Sequence, residues 1–411
     1  MTERRQLLAM LDRLPLDDEV VLATVVKVEG SAYRRPGARM LIPRYGRSVG
    51  TLSGGCLESE VSKKAWYLTE GGRAVVCRYS TASLSASAHG DQGGTNPDND
   101  NDAETDAESE LAFGLGCNGT VHVLLQRLPV TAPLFARLRA VEQGRAPAAQ
   151  AIVIGKSGEW GANIGDTVAI GSEVVSENPA EACADRRPAD PALASAVQAE
   201  LTAVLAAGQS RLLRYRRADG AELEWLLELL PPRPELVIIG AGHDAEPLVR
   251  LAALMGWRVT VVDGRAHFAR PERFPDADQV LCLSVADAAR LPPVTRSVVV
   301  VMSHSFSQDR DWLRHFLHQS PLYLGQLGPK SRTDRLLGEL AASDDPSLHR
   351  AIRRLRAPVG LDLGGSTPEA VALAILAEAQ AALTGRLGGP LADRGASIHQ
   401  NEPVAERTWP G

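Results

Sequence analysis

Two glycine-flanked cysteines are the residues best suited to chemistry. Gly54-Gly55-Cys56 and Gly116-Cys117-Asn118-Gly119 each put a thiol on nearly bare backbone, so a bulky ligand can reach sulfur and main-chain amides together. Cys56 stands where an amphipathic helix opens, and the positive end of a helix dipole enriches the thiolate form. A thiolate ligates soft metals, attacks electrophilic sulfur and accepts a persulfide. Cys56 and Cys117 are therefore the candidate metal ligands, with Gly54, Gly55, Gly116 and Gly119 as the cofactor-binding backbone around them. Arg34, Arg35 and Arg39 lie in a nearby turn and supply charge for an anionic phosphate. The competing reading makes both cysteines small buried apolar residues and the arginines solvated. Two such turns in one domain favour the functional one.

A third turn follows the apolar run Leu236-Val-Ile-Ile. Gly240 and Gly242 come directly after it, His243 follows, and Ala245 occupies the third small position of a G-x-G-x-x-A pattern. Glycines there let the chain turn tightly and approach a pyrophosphate seated on helix N-terminal amides. The next strand ends at Asp263, the right distance on for an acid that accepts from a ribose hydroxyl. Gly240, Gly242, His243 and Asp263 are the nucleotide-site candidates, and NAD(P) or another nucleotide is the ligand. Arg265 leaves the choice between NAD and NADP open. The glycines also suit plain helix-strand packing, because the motif specifies geometry before it specifies a ligand. Ser303-His304 and Gly364-Gly365-Ser366-Thr367-Pro368 fall at the ends of further strands, where open α/β sheets bind ligands. Thr367 and Pro368 also read as an ordinary helix start, and His304 also as a hydrogen-bonded structural histidine.

The elements that must position these residues fall into two groups. Before Pro231, strands are expected at Val20–Val28, Met40–Ile42, Ala74–Tyr79, Thr120–Leu125, Ala151–Gly155 and Thr167–Ile170, with helices at Leu57–Leu68 and Pro191–Ala207. Pro231, Pro232 and Pro234 mark a linker. Beyond it, apolar strands at Leu236–Ile239, Trp257–Asp263, Val280–Leu283, Ser297–Met302, Leu322–Leu324 and Val359–Leu363 alternate with helical segments. That alternation predicts an α/β protein: a C-terminal Rossmann-like doubly wound parallel sheet (residues 231–411) preceded by a mixed α+β N-terminal domain (residues 1–230).

The remaining features exclude several classes. A stretch of Ser, Gly, Asn and Asp at about 80–110 is too polar to offset the entropy of ordering and reads as a disordered acidic insert. Its alternating acids resemble a calcium loop, yet Ala103 stands where the turn glycine belongs and Ser109 where the bidentate Glu belongs. The 411 residues carry a formal net charge of -6, which disfavours nucleic acid. No apolar run approaches membrane-spanning length, and the charged N-terminus lacks an export signal, so a cytoplasmic location is expected. Cys56, Cys77, Cys117, Cys183 and Cys282 are scattered, which argues against a disulfide framework or structural zinc. No tyrosine has a lysine four residues on, which weakens a short-chain dehydrogenase reading. A symmetric homodimer is the default expectation for assembly.

The segments GSAYRRPGARMLI, GTLSGGCLESEV and GLGCNGTVHVLL, then ELVIIGAGHDAEPLVRLAALMGWRVTVVDGR, VVVVMSHSFSQDRDWL, YLGQLGPKSR and PVGLDLGGSTPEAVALAILAEAQAAL, resemble the xanthine dehydrogenase accessory family, also called XdhC/CoxI. The likeness covers nearly the whole chain apart from the acidic insert and the last residues. It implies a cytoplasmic, non-catalytic maturation chaperone. Such a protein binds molybdenum cofactor (molybdopterin), protects it while a cysteine desulfurase supplies its terminal sulfur, and inserts it into a xanthine dehydrogenase-type molybdenum hydroxylase. Cys56 and Cys117 fall on the family's cysteines, and Gly240, Gly242 and Asp263 on its nucleotide-fold signature. Asn118, Ser303 and Arg356 depart from the family's glycine, threonine and histidine. The alternative function is an NAD(P)-dependent oxidoreductase using the Rossmann domain, and a third reading is a scaffold with neither site in use.

Overall fold

β-Branched residues dominate the run from Val20 to Val28, and a strand buried on both faces needs such a run. In the computed structural model this run is the heart of β1 (Glu19–Gly30). The structure describes residues 2–30, 33–55, 57–80, 111–112, 119–171, 187–342, 345–395 and 403–410. They fall into two compact units, Glu3–Pro232 with His399–Gly411, and Arg233–Ile398 with Met1–Thr2.

In the first unit the elements run α1 (Glu3–Leu11), β1, β2 (Arg39–Pro43), β3 (Val49–Gly50), α2 (Glu58–Leu68), β4 (Val75–Ser80), β5 (Leu111–Ala112), β6 (Gly119–Pro129), α3 (Pro133–Gln143), β7 (Ala148–Lys156), β8 (Thr167–Gly171), α4 (Pro191–Ala207), β9 (Arg211–Arg216) and β10 (Glu222–Leu230). Among the described residues they form one sheet in the order β3-β2-β1-β6-β4-β5, and a second in which the late strand Val404–Thr408 joins the edge, followed by β9-β10-β7-β8. Alternation along each strand sends one face inward. Val21, Ala23 and Val25 meet Val61 and Ala65 of α2, while Val20 and Leu22 meet Ala148 and Leu230 of the second sheet. The far face of that sheet, through Ala151, Val153 and Leu227, packs on Val197, Leu201 and Val204 of α4. The layers are therefore helix, sheet, sheet, helix. α4 takes its bounds from Asp190, whose side chain accepts from the Ala192 amide, from Pro191 in the first turn, and from Gly208 in the left-handed C-cap position.

A polar stripe interrupts the space between the sheets. Thr24, Gln126, Gln150 and Glu228 are buried there. Arg39 crosses from the first sheet to donate to Glu228 Oε2 at 2.5 Å, and Gln150 donates to the same oxygen at 2.8 Å. A buried ion pair of this kind does more for register than for net stability.

The second unit runs β11 (Glu235–Ile239), α5 (Ala245–Leu254), β12 (Arg258–Asp263), β13 (Gln279–Cys282), β14 (Ser297–Val301), α6 (Phe306–Gln319), β15 (Tyr323–Gln326), α7 (Lys330–Ala341), α8 (Pro346–Ile352) and α9 (Pro368–Leu383); the strand Val404–Thr408, already placed in the first unit, is β16. The order β13-β12-β11-β14-β15 is parallel throughout. Leu236 and Ile238 point to α5 and α9, whereas Val237 and Ile239 point to α6, α7 and α8, so helices cover both faces and the sheet is doubly wound. No helix among the described residues is long and apolar enough to cross a membrane.

The sixth strand expected at Val359–Leu363 does not form. Its place beside β15 is taken by a single bridge, Gly325 to Arg356. The Gln326 amide donates to Arg356 and the Val359 amide to Gln326, but Pro358 between them has no amide hydrogen to continue a ladder. β9 and β10 form where no strand was expected. Glu222 to Trp225 alternate, but Leu226 and Leu230 put apolar residues on the second face as well, because both faces of β10 are covered there, and this blurs the alternation.

Candidate functional site

The first glycine turn leaves β3 at Gly50 and reaches α2 at Glu58. Gly54 and Gly55 adopt φ of 111° and 124°, the left-handed region where a side chain is strained. Leu52 and Leu57, both buried, pin the turn at its two ends. Glu58 organises the turn from within. Its Oε1 accepts from the amides of Leu52 at 2.8 Å, Ser53 at 2.9 Å and Gly54 at 3.2 Å, and its Oε2 from Gly55 at 2.9 Å and the Ser53 hydroxyl at 3.0 Å. Successive amides converging on one anion form a nest. Partial burial pushes the Glu58 carboxyl up, but the amides of Ser53, Leu52 and Gly54 and its own outweigh this and pull it down to about 2. Sequence reasoning placed Gly54 and Gly55 in a ligand-binding backbone and overlooked Glu58, which already holds their amides. An acid in the first turn of a helix directly after a glycine pair was the available signal.

One more link braces this turn. Thr51 donates to Glu3 Oε1 at 2.6 Å, and Glu3 also pairs with Arg34. The turn, α1 and the arginine turn are thus tied through a single carboxylate.

Cys56, Gly116 and Cys117 lie outside the described residues. Gly119 is described: it opens β6, buried, opposite Gly30. The registers put Gly50 level with Met40 and Ala23, in the first half of β1, and Gly119 level with Gly30 at the strand's far end. Of the two other cysteines described, Cys77 is buried with its thiol pushed up by burial, and Cys282 is exposed. Among the described residues no cluster of three His, Cys, Asp or Glu side chains could hold a metal ion.

In the second unit, the glycine turn sits where β11 and β14 part, the switch point of a doubly wound sheet. Gly240 has φ of 115°, and a Cβ there would lie 2.5 Å from the carbonyl oxygen of Met302, so the glycine is demanded by backbone packing alone. Over Gly242 stands Asp244, whose Oδ1 would lie 2.6 Å from a Cβ at that position. Asp244 also hydrogen-bonds His304 Nε2 at 2.7 Å, joining the loops after β11 and β14. His304 is held at φ of 60°, a left-handed conformation uncommon outside glycine. His243 is exposed and faces Glu246 at 3.4 Å.

Asp263 is buried and fully engaged. Its Oδ1 accepts from the Arg265 amide and Nε, both at 2.9 Å, and its Oδ2 from the Ala241 amide at 2.9 Å and the Arg265 guanidinium at 2.8 Å. Burial pushes this carboxyl up, and Arg265 with the two amides more than reverses it. Four donors on two oxygens leave no acceptor for a ribose hydroxyl. A carboxylate over Gly242 further opposes a pyrophosphate. The residues present do not fit a dinucleotide bound in the usual way.

A network beneath the His304 loop was also missed. Asp309, fully buried, accepts from the Ser303 amide and hydroxyl, Gln326 and Arg332. It fastens the ends of β14 and β15 to the start of α6.

The fold and the two turns define a class: a braced glycine turn on a two-sheet unit, joined in sequence to a Rossmann unit. Residues 16–80 match the model of the XdhC and CoxI family, and residues 236–379 match that of the XdhC Rossmann domain. The chain belongs to the XdhC and CoxI family. It is 29% identical over 374 residues to a probable xanthine dehydrogenase subunit of Bacillus subtilis, covering 90% of this chain and 95% of that protein. It is 24% identical over 361 residues to the molybdenum cofactor insertion chaperone PaoD of Escherichia coli, covering 87% and 81%. The crystal structure of a xanthine dehydrogenase from Bacillus halodurans superposes with a TM-score of 0.64 at 25% identity, covering 96% of this chain and 98% of that one.

Proposed function

We propose that this chain is a molybdenum cofactor-binding maturation chaperone. It protects the cofactor, supports its sulfuration by a cysteine desulfurase, and inserts it into a xanthine dehydrogenase-type molybdoenzyme. The similarity to a molybdenum cofactor insertion chaperone over 87% of the chain is the observation that carries this reading. The braced turn supports it. Glu58 holds the amides of Leu52 to Gly55, the segment directly before Cys56, in one geometry. In this role Cys56 and Cys117 are the soft ligands for the cofactor's metal or sulfur, with Gly116 and Gly119 as the backbone beside the second cysteine. Binding, not turnover, is the activity, and the saturated Asp263 argues against the nicotinamide oxidoreductase reading.

Protein purified from cells that make the pterin cofactor should carry about one molybdenum and one fluorescent pterin oxidation product per chain. Cys117→Ser and Cys56→Ser should each lower both contents at least tenfold without shifting the melting temperature. Variants that retain both at wild-type stoichiometry would remove the cysteines from the site.

A further inference from the structure

A cavity of about 630 Å³ opens in the second unit beside the start of β15, where α6, α8 and α9 end. The sheet is parallel, so this is the end opposite the Gly240 turn and the His304 loop. Its base is apolar: Phe316, Leu317, Tyr323 and Leu324 line it and are themselves buried. The Tyr323 hydroxyl already donates to Glu378 Oε2 at 2.6 Å. Leu322, 61% exposed, and Leu387, 98% exposed, stand at the mouth. Large apolar side chains left in water around an open apolar cavity are the pattern of a surface that a partner covers.

Every charged residue in the lining is a cation: Arg353, Arg354, Arg356 and Arg386. Part of this charge has a local cause. Arg353 donates at 3.3 Å to the His349 carbonyl in the last turn of α8, where a cation offsets the helix dipole, and Arg356 lies 3.7 Å from Glu378. Arg354 and Arg386 have no such partner. Both are exposed, and neither guanidinium makes a hydrogen bond or ion pair among the described residues. Two uncommitted guanidiniums therefore stand over an apolar base, and no carboxylate in the lining answers them.

We propose that this cavity docks a segment of a partner protein in which a bulky apolar side chain is flanked by carboxylates. The apolar side chain fills the base, and the carboxylates meet Arg354 and Arg386; a buried anchor ringed by complementary charge is how interfaces gain both affinity and specificity. A protein segment fits better than a small metabolite. The cations sit on separate stretches around an open mouth, and no buried charged or amide side chain lines the base to orient a small ligand. Resting on the chaperone reading, the partner is the molybdoenzyme client.

The test titrates full-length protein into a fluorescein-labelled peptide, EDLFEDE, and follows fluorescence anisotropy at low ionic strength. Wild type should bind one peptide per chain, with affinity falling several-fold as salt is raised. Arg354→Gln combined with Arg386→Gln should weaken binding about tenfold with the melting temperature unchanged. The peptide with alanine in place of its leucine and phenylalanine should also bind about tenfold more weakly. No saturable binding to wild type, equal affinity of the double variant, or equal affinity of the alanine peptide would each overturn the site. So would a wild-type dimer, seen by sedimentation, that the double variant converts to monomer, because the occupant is then a second copy. A cofactor-free client should be captured by wild type and not by the double variant; capture by both would remove the client from this face. The double variant should keep wild-type molybdenum and pterin contents. Peptide binding by a wild type that carries neither would sink the chaperone reading alone, and normal contents without peptide binding would sink the docking site alone.

Discussion

Asp309→Ala is expected to destabilise the Rossmann unit by about 3–5 kcal/mol, the usual cost of removing one partner from a buried ion pair. Asp309 has no solvent exposure and four donors converge on it: the Ser303 amide at 3.1 Å and hydroxyl at 2.5 Å, Gln326 at 3.1 Å and Arg332 at 2.7 Å. Truncation leaves the Arg332 charge unpaired and strands buried donors on Ser303 and Gln326, each of which carries its own desolvation penalty. At about 2–4 °C per kcal/mol for a domain of 150–250 residues, the unit's thermal transition should fall by roughly 6–20 °C. The loop that holds His304 at positive φ hangs from this network, so its amides should also lose hydrogen-exchange protection before those of β11. A shift below about 1 kcal/mol would mean that water satisfies these groups and that the network does not brace the loop.

Glu58→Ala is the second large effect, and here the consequence reaches the proposed site. Hydrogen bonds to a charged group contribute about 1.5–3 kcal/mol, but this carboxylate is only partly buried and water can replace it for some of the amides. A loss of about 1–3 kcal/mol is expected, with the turn from Leu52 to Gly55 becoming mobile. On the proposed function, a mobile turn directly before Cys56 should lower cofactor content even though no cysteine has changed. The acid branch gives an independent signature. A carboxyl depressed to about 2 in the folded chain stabilises it fully above the ordinary carboxyl value near 4.5, and that stability drains away as pH falls toward 2. Glu58→Gln should flatten this part of the stability profile. If the variant's unfolding free energy keeps the wild-type slope between pH 4.5 and 2, the amides are not what depresses the Glu58 carboxyl.

How much could be read from residues alone depended on whether the cause was local. The helix over Pro191–Ala207 was legible because its start and stop signals, Asp190, Pro191 and Gly208, lie within the segment itself. The parallel strands were legible because Leu236 to Ile239 and Ser297 to Val301 are apolar at nearly every position, which only a sheet covered on both faces explains. The bridge at Arg356 was not, since its partner Gly325 lies far back in sequence and Pro358 cuts the run short.

The candidate sites follow the same rule. Gly240 was read either through a ligand or through helix-strand packing; the nearness of the Met302 carbonyl, which no local pattern reports, is sufficient reason for a glycine there. Asp263 was correctly placed at the end of β12, but its saturation by Arg265 depends on rotamers, not on spacing. The Arg39 to Glu228 pair joins positions 189 residues apart and carries no sequence signature. Glu58 was closest to legible: it sits three residues beyond Gly55, and what hid it was the convergence of four amides rather than distance along the chain.

The proposed role is delivery of a molybdenum-pterin cofactor to a client. Its most direct test is activation of a purified, cofactor-free xanthine dehydrogenase-type enzyme by cofactor supplied either free or preloaded on this protein. Preloaded protein should restore activity several-fold faster and to a higher final level than free cofactor, and Cys56→Ser should bring it down to the free-cofactor rate. Equal activation with and without the chain, under conditions where the client accepts free cofactor, would rule that role out.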